Sequence, residues 1–337
     1  MLAVVTVDTV EDLVDFDDGK TSLREAIFAT NLVAGRDEIR FDASLFAVGS
    51  AKILLTQGEL PIADELTVSG LGADLLTIDA NLQSRIFNIN STAGETRLSG
   101  LTLTRGRVSG NNQPNPNDST FNGGAIRSIS AGGISLEDVV ISQSGVTGQR
   151  TAGGGLFAVG PMTIAGSVIS GNFAEGTGAK GGGVAGERNL LSIIETTIAG
   201  NRAPRGGGVH AFDLALDSST VNNNCAVGSI DAGGGGLLIT GYGTIFSSTI
   251  STNSVEGNGD SAAEGGGVWT SGFVDLRHST VITNTASSLR SRGIGGGAYV
   301  DADGAINLDH TIVAGNLTTE EAAEISAVGI SFRRDLA

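Results

Sequence analysis

The sequence predicts an all-β chain wound as a right-handed parallel β-helix with an N-terminal capping helix. Three observations carry this. Short apolar runs with period two recur along most of the chain, an asparagine returns in one slot per repeat, and a glycine triplet follows it after a loop of variable length. Period-two alternation marks strands with one inward face, and repeat intervals of 23 to 32 residues suit solenoid turns better than helical repeats. With 52 glycines and only 5 prolines, the composition favours short strands joined by tight turns over disorder or helical bundles.

Residues 1–40 read as an N-terminal strand and helical cap. The strand is Ala-Val-Val-Thr-Val at 3–7, and an acidic loop follows over 8–19. Ser22 and Glu25 form a capping box, with Leu23, Ala26, Ile27 and Thr30 on one helical face. Such a helix serves to cover an exposed end strand. Residues 41–106 read as irregular first turns, with apolar runs that lack the later glycine triplets.

Residues 107–317 are the regular repeats of the same single domain, 1–337. Aligned copies place Asn172, Asn201, Asn224, Asn253, Asn284 and Asn316 in one slot, with Gly106 and Ser144 in its earlier instances. Three residues before it stand Ile169, Ile198, Val221, Ile250, Val281 and Val313, and eight before it Ile164, Ile193, Leu216, Ile245, Leu276 and Leu308. Stacked strands lie ~4.8 Å apart, so equivalent residues touch. An asparagine repeated at one corner can then bond its copies above and below. Glycine triplets permit positive φ and a sharp turn. Nearly all the variation in loop length lies between the asparagine and the triplet, from four residues at 202–205 to sixteen at 107–122, which puts the variable loops on one face. At 318–337 the expectation is a short helix, capped by Thr318 and Glu321 and running to Val328, then a tail.

The net charge of −16 counts against nucleic acid as a partner. No run approaches the ~20 apolar residues of a membrane helix. Cys225 is the only cysteine, so there is no disulfide framework. The start, Met1-Leu2-Ala3-Val4-Val5, lacks the basic opening of a signal peptide, so the expectation is an excised mature region, with a cytoplasmic chain as the alternative.

Two resemblances follow from these residues. Thr21-Ser22-Leu23-Arg24-Glu25-Ala26, with Asn31 and the downstream Asp37-Glu38-Ile39-Arg40-Phe41, resembles the CSLREA domain that opens many secreted or surface-attached bacterial β-helix proteins. Thr21 stands where that domain has its leading cysteine, so a disulfide inferred for the region cannot form here. The turns over 98–316 are similar to repeats of polymorphic outer-membrane proteins, and Gly123-Gly124-Ala125-Ile126 matches their GGA[IL] motif. Their FxxN motif is not kept, since Ile or Val takes the Phe place. The resemblances imply the β-helix fold and an extracytoplasmic location, secreted or at the cell surface, and no defined activity.

Three sets of residues are candidates for function. The first is an outward column two residues beyond each triplet: Phe157, Ala185, His210, Leu238, Trp269 and Tyr299. Its aromatics, with His210, suit a binding platform for a glycan or a protein surface, while the plainer reading has neighbouring loops folding over the column. The second set is Asp275, Arg277, His278, Asp309 and His310 on adjacent turns, a weak candidate for acid–base chemistry. The plainer reading there is a solvated ladder in which Arg277 pairs with Asp309. The third is Asp15, Asp17, Asp18, Asp301 and Asp303 on turns, weak candidates for Ca²⁺, against simple acidic turns.

The leading expectation is a non-enzymatic scaffold or adhesin-like surface protein that displays variable loops and the outward stripe. The runner-up is a carbohydrate-active β-helix enzyme, a polysaccharide lyase or glycoside hydrolase. Against the enzyme stand the scattered lysines Lys20, Lys52 and Lys180, the lack of an arginine ladder, and no carboxylate pair beyond Asp301 and Asp303. An uncovered end strand would also invite end-to-end self-association.

Overall fold

The computed structural model describes residues 3–32, 34–47, 49–91, 94–112, 115, 118–260, 262–319 and 324–327. Within them the chain is a parallel β-helix of about ten turns. Each turn lays its strands on those of the turn before, and the strands collect into sheets of 27, 8 and 3. Register is kept column by column: Leu191 lies on Leu214, Ile193 on Leu216 and Ile198 on Val221. These inward residues are buried and merge into one core along the axis.

Every regular turn bends at two positions, and both require a left-handed backbone. One is the residue before the asparagine slot, with φ of 53° at Asn223, 54° at Thr252 and 53° at Thr283. The other lies six residues before the slot, with φ of 49° at Ser218, 47° at Ser247 and 51° at His278. Non-glycine residues resist this conformation by roughly 1–2 kcal/mol each. Two polar ladders, one after each bend, hold it.

The first ladder is made of the asparagines. Asn201 Nδ2 donates to Ile169 O at 2.9 Å and to Asn224 Oδ1 at 3.0 Å, while its Oδ1 accepts from Asn172 N at 2.9 Å and Asn172 Nδ2 at 3.1 Å. The pattern continues through Asn253, Asn284 and Asn316, where Glu324 Oε2 accepts the Asn316 amide at 2.7 Å. The second ladder is of hydroxyls, five residues before each slot. Ser167, Thr196, Ser219, Ser248 and Ser279 each accept the backbone N–H of the equivalent residue one turn earlier, as in Thr196 N→Ser219 Oγ at 3.0 Å. Each also donates to a carbonyl two residues back, as in Ser219 Oγ→Asp217 O at 2.7 Å. The buried main chain of both bends is thereby satisfied without water.

The glycine triplet does three different things. At Gly206 φ is +60°, which sharpens the turn. Gly207 and Gly208 have no such φ; they are needed for space. A Cβ on Gly207 would sit 2.5 Å from Gly235 O and from Cys225 O, and one on Gly208 would lie 3.0 Å from the Asn224 amide carbon. The triplet therefore packs directly on the asparagine ladder.

The cap forms as helix α1, Leu23–Asn31, with Ser22 as N-cap. Glu25 N donates to Ser22 Oγ at 3.1 Å, and Ser22 N donates to Glu25 Oε2 at 2.8 Å. Leu23, Ala26, Ile27 and Thr30 face inward and are buried. Arg24 pins the acidic loop by an ion pair to Asp12 at 2.7 Å, and Asp12 accepts the Thr56 and Gln57 N–H groups of the first turns. The expected C-terminal helix is corrected where the residues are described. Leu317–Thr318 continues one sheet and Ile325–Ala327 pairs with Ala298–Val300, because the solenoid still offers open strand edges there. Residues 320–323 and 328–337 of that expectation lie outside the described residues.

Candidate functional site

The outward column is continuous and longer than the sequence reading made it. Arg127 lies on Phe157, Phe157 on Ala185, Ala185 on His210, His210 on Leu238, Leu238 on Trp269 and Trp269 on Tyr299. It is not an exposed stripe. Phe157 is 2% exposed, and His210, Trp269 and Tyr299 are 8% each. The cover is a strip formed by the residue that precedes each triplet: Ala152, Lys180, Arg205, Gly233, Glu264 and Ile294. This strip folds back over the column because the glycine turn directs it there.

Toward the C-terminal end the cover is closed. Trp269 Nε1 donates to Glu264 Oε2 at 3.0 Å, its ring stacks on Tyr299 at 6.5 Å between centroids, and Leu238 and Ile294 complete the cluster. Burial pushes the Glu264 carboxyl above its ordinary range, and burial with the nearby Glu264 raises the Tyr299 hydroxyl to about 12. The Arg205 guanidinium lies 5.6 Å over the Trp269 ring.

Toward the middle the cover opens into a cleft of about 520 Å³. Its floor is Arg127, Phe157 and His210 of the column, and Lys180 and Arg205 stand along one side as neighbours in the covering strip. The long loop at 107–122 supplies a wall through Asn112, Ser119 and Asn122. Asn112 Nδ2 bonds Asn122 Oδ1 at 2.7 Å and Arg150 O at 3.0 Å, and Arg127 ties the loop down through Ser119 O at 2.8 Å. Glu187 and Arg188 also line the cleft, from a bulge in strand Val184–Ile194 where the register shifts between Gly186 and Leu190. A bulge beside a cleft re-aims side chains that a regular strand would point elsewhere.

The electrostatics of this cleft oppose those of the chain. Arg127, Arg150, Lys180, Arg188 and Arg205 line it against the carboxylates of Asp118 and Glu187, in a chain of net charge −16. Lys180 Nζ pairs with Glu187 at 2.8 Å. Two buried polar atoms of this cleft, Arg205 Nε and His210 Nδ1, have no hydrogen-bond partner among the described residues. Burial, then the charges of Lys180 and Arg205, hold the His210 imidazole well below its ordinary pKa, so it is neutral at neutral pH.

A pectate lyase has this fold. The crystal structure of pectate lyase Pel9A superposes with a TM-score of 0.53 at 14% identity, covering 96% of this chain and 78% of that one. At that identity the likeness speaks for the fold alone. No family profile matches the chain, and no curated protein does.

The other candidates lie elsewhere. Arg277 pairs with Asp275 at 2.6 Å, not with Asp309, because both side chains of one strand face outward two residues apart. Asp275 also accepts from Asn307 Nδ2 at 3.0 Å, and His310 Nδ1 lies 2.5 Å from Asp309 Oδ1. His278 and His310 stack at 5.1 Å on an open bend, with the His310 side chain 70% exposed. Of the acidic turns, Asp15 Oδ1 accepts Asp17 N at 3.1 Å, Asp18 Oδ1 accepts Lys20 N at 2.8 Å and Asp301 Oδ1 accepts Ala302 N at 2.8 Å. Asp303 falls in the same turn as Asp301, and no group of three His, Cys, Asp or Glu placed to hold a metal occurs among the described residues.

Sequence reasoning missed Lys180 and Arg205 as a pair. They are 25 residues apart, and only the rule that each precedes its own triplet makes them neighbours.

Proposed function

We propose that this protein is a carbohydrate-active β-helix protein whose cleft takes and cleaves an acidic polysaccharide, in an extracytoplasmic setting. The observation that carries the reading is the gathering of five cations in the lining of one cleft in an otherwise acidic chain, with Arg205 Nε buried and without a hydrogen-bond partner among the described residues. A buried guanidinium nitrogen without a partner is costly, roughly 1–3 kcal/mol, and a ligand carboxylate or hydroxyl would satisfy it. The shared fold with a pectate lyase supports the same reading.

The test is incubation with polygalacturonate, alginate, hyaluronate and a neutral glucan, following both new chain ends and retardation in gels that contain each polymer. Retardation and new ends with an acidic polymer are expected, and both should weaken in Arg205→Ala. Equal behaviour toward the neutral glucan, or none toward any acidic polymer, refutes the proposal.

A second reading, a glycan- or protein-binding display surface, has one observation in its favour. Tyr242 and Phe273 stack at 5.5 Å with their rings 7° apart, and are 49% and 42% exposed on a different outward face. Stacked exposed aromatics form a platform for sugar rings. Loss of surface binding in Tyr242→Ala with Phe273→Ala, while cleft activity is kept, is its expected signature.

A further inference from the structure

The capped end of the solenoid carries an apolar face open to solvent. Helix α1 turns Leu23, Ala26 and Ile27 inward, but on its outer side Phe28 and Leu32, about one helical turn apart, are 50% and 67% exposed. The acidic loop adds Phe16, 63% exposed, whose ring lies 5.6 Å from that of Phe28. The same loop also exposes Leu13 and Val14. Ser22 Oγ donates to Leu13 O at 2.6 Å and Asp15 N donates to Glu25 Oε1 at 2.6 Å, so the loop is fastened to the helix start on both sides of Val14. Single exposed hydrophobics are ordinary, but touching aromatics on a fixed main chain mark an interface.

Charge says what kind of partner fits. Asp8, Glu11, Asp15, Asp17 and Asp18 of this loop are exposed, and of the loop's carboxylates only Asp12 is ion-paired among the described residues, with Arg24. An apolar face beside unpaired negative charge is complementary to a segment that is both apolar and basic. The chain, at net charge −16, holds such a segment in Ile330-Ser331-Phe332-Arg333-Arg334, outside the described residues. It follows the last described strand, Ile325–Ala327, at the opposite end of the solenoid. From Ala327 to Arg334 the chain spans at most roughly 25 Å. The column of Ile325–Ala327 runs back through nine strand spacings of ~4.8 Å, about 43 Å, to Leu60–Ile62, against which α1 packs. The segment cannot reach its own cap, only that of another copy. The C-terminal end is itself incomplete as a core: Leu308 and Val313 are half-buried, whereas Leu276 and Val281 one turn earlier are buried.

We infer that the capped end of one copy receives the C-terminal segment of a second copy. Phe332 packs on Phe16 and Phe28, and Arg333 and Arg334 meet the carboxylates of the acidic loop. The contact joins unlike surfaces, head to tail, so it repeats from copy to copy instead of closing as a symmetric pair. It does not depend on the cleft.

The experiment is analytical ultracentrifugation of the full chain over a wide concentration range, at low and at high salt. The wild type is expected to grow with concentration through dimers to longer species, and to dissociate as salt screens the charges. A cap variant, Phe16→Ser with Phe28→Ser, and a tail variant, Phe332→Ser with Arg333→Ser and Arg334→Ser, should each associate at least about tenfold more weakly. Phe16 and Phe28 are exposed, so the cap variant leaves the core filled, and thermal melts matching the wild type check this. Mixed in equal amounts, the two variants are expected to form a dimer and stop there, because each supplies the half that the other lacks. A wild type that stays monomeric, a tail variant that associates like the wild type, or a mixture no more associated than its components overturns the inference. The acidic-polysaccharide reading stands or falls separately.

Discussion

Replacing Asn201 by Ala removes one rung of the buried asparagine ladder, and the structure allows the cost to be worked out. Four hydrogen bonds go. Asn172 Nδ2 keeps its bond to Ile141 O, and Asn224 Oδ1 still accepts Asn201 N, so these two groups are only partly deprived. Two main-chain groups fare worse: Asn172 N loses its acceptor and Ile169 O its side-chain donor. Each buried group left unpaired costs roughly 1–3 kcal/mol, giving about 4 kcal/mol together. That is a large share of the 5–15 kcal/mol typical of a domain. Urea unfolding of the variant beside the wild type measures it. Asn201→Asp sharpens the test. Its carboxylate would face Ile169 O and Asn224 Oδ1 without a donor, so the folded state favours the protonated acid and raises its pKa. The variant's deficit should then be smallest below the unfolded value of about 3.9 and should grow as pH rises through the raised native value. A loss below about 1 kcal/mol for Asn201→Ala, or a deficit in Asn201→Asp that does not change with pH, would refute the ladder as a main source of stability.

Other outcomes follow from the same geometry. Asp79 is buried and bonded by Arg105 at 2.6 Å and Lys52 at 2.5 Å; burial alone would raise its pKa, but those hydrogen bonds outweigh it and the value is lowered. Its contribution is therefore present above the ordinary carboxylate pKa and lost as pH falls through the native value, and Asp79→Asn should cost about 2 kcal/mol at pH 7 but little in acid, read by thermal melts across pH. Trp269→Leu removes the ring beneath Arg205 and the donor to Glu264, and should weaken retardation by acidic polymers about 3- to 30-fold, the worth of a cation–π contact. Burial pushes the Cys225 thiol up, and Ser254 donates to its sulfur at 3.1 Å, so alkylation in the native state should be at least tenfold slower than in urea at the same pH.

The sequence by itself determined the parallel β-helix. Inward columns such as Leu191, Leu214 and Val274 recur at fixed distances from an asparagine, and a solenoid repeats its chemistry in sequence because it repeats it in space. The N-terminal cap was legible for a local reason: Ser22 and Glu25 interact within one helical turn. The hydroxyl ladder of Ser167, Thr196, Ser219, Ser248 and Ser279 was equally periodic, but serine and threonine are common on strands and turns, so their spacing did not stand out. The end of the chain misled because Thr318 and Glu321 satisfy a helix cap locally, whereas open strand edges above Thr285–Ser288 and Ala298–Val300 are a tertiary offer that local sequence does not state. Only the tertiary structure decided which face of the outward column meets solvent. Alternation tells that His210, Trp269 and Tyr299 point away from the core, but not that the residues before each triplet fold back over them. That fold-back buries the aromatics expected to form a platform. It also brings Lys180 and Arg205, distant in sequence, side by side into the lining of the cleft that holds His210.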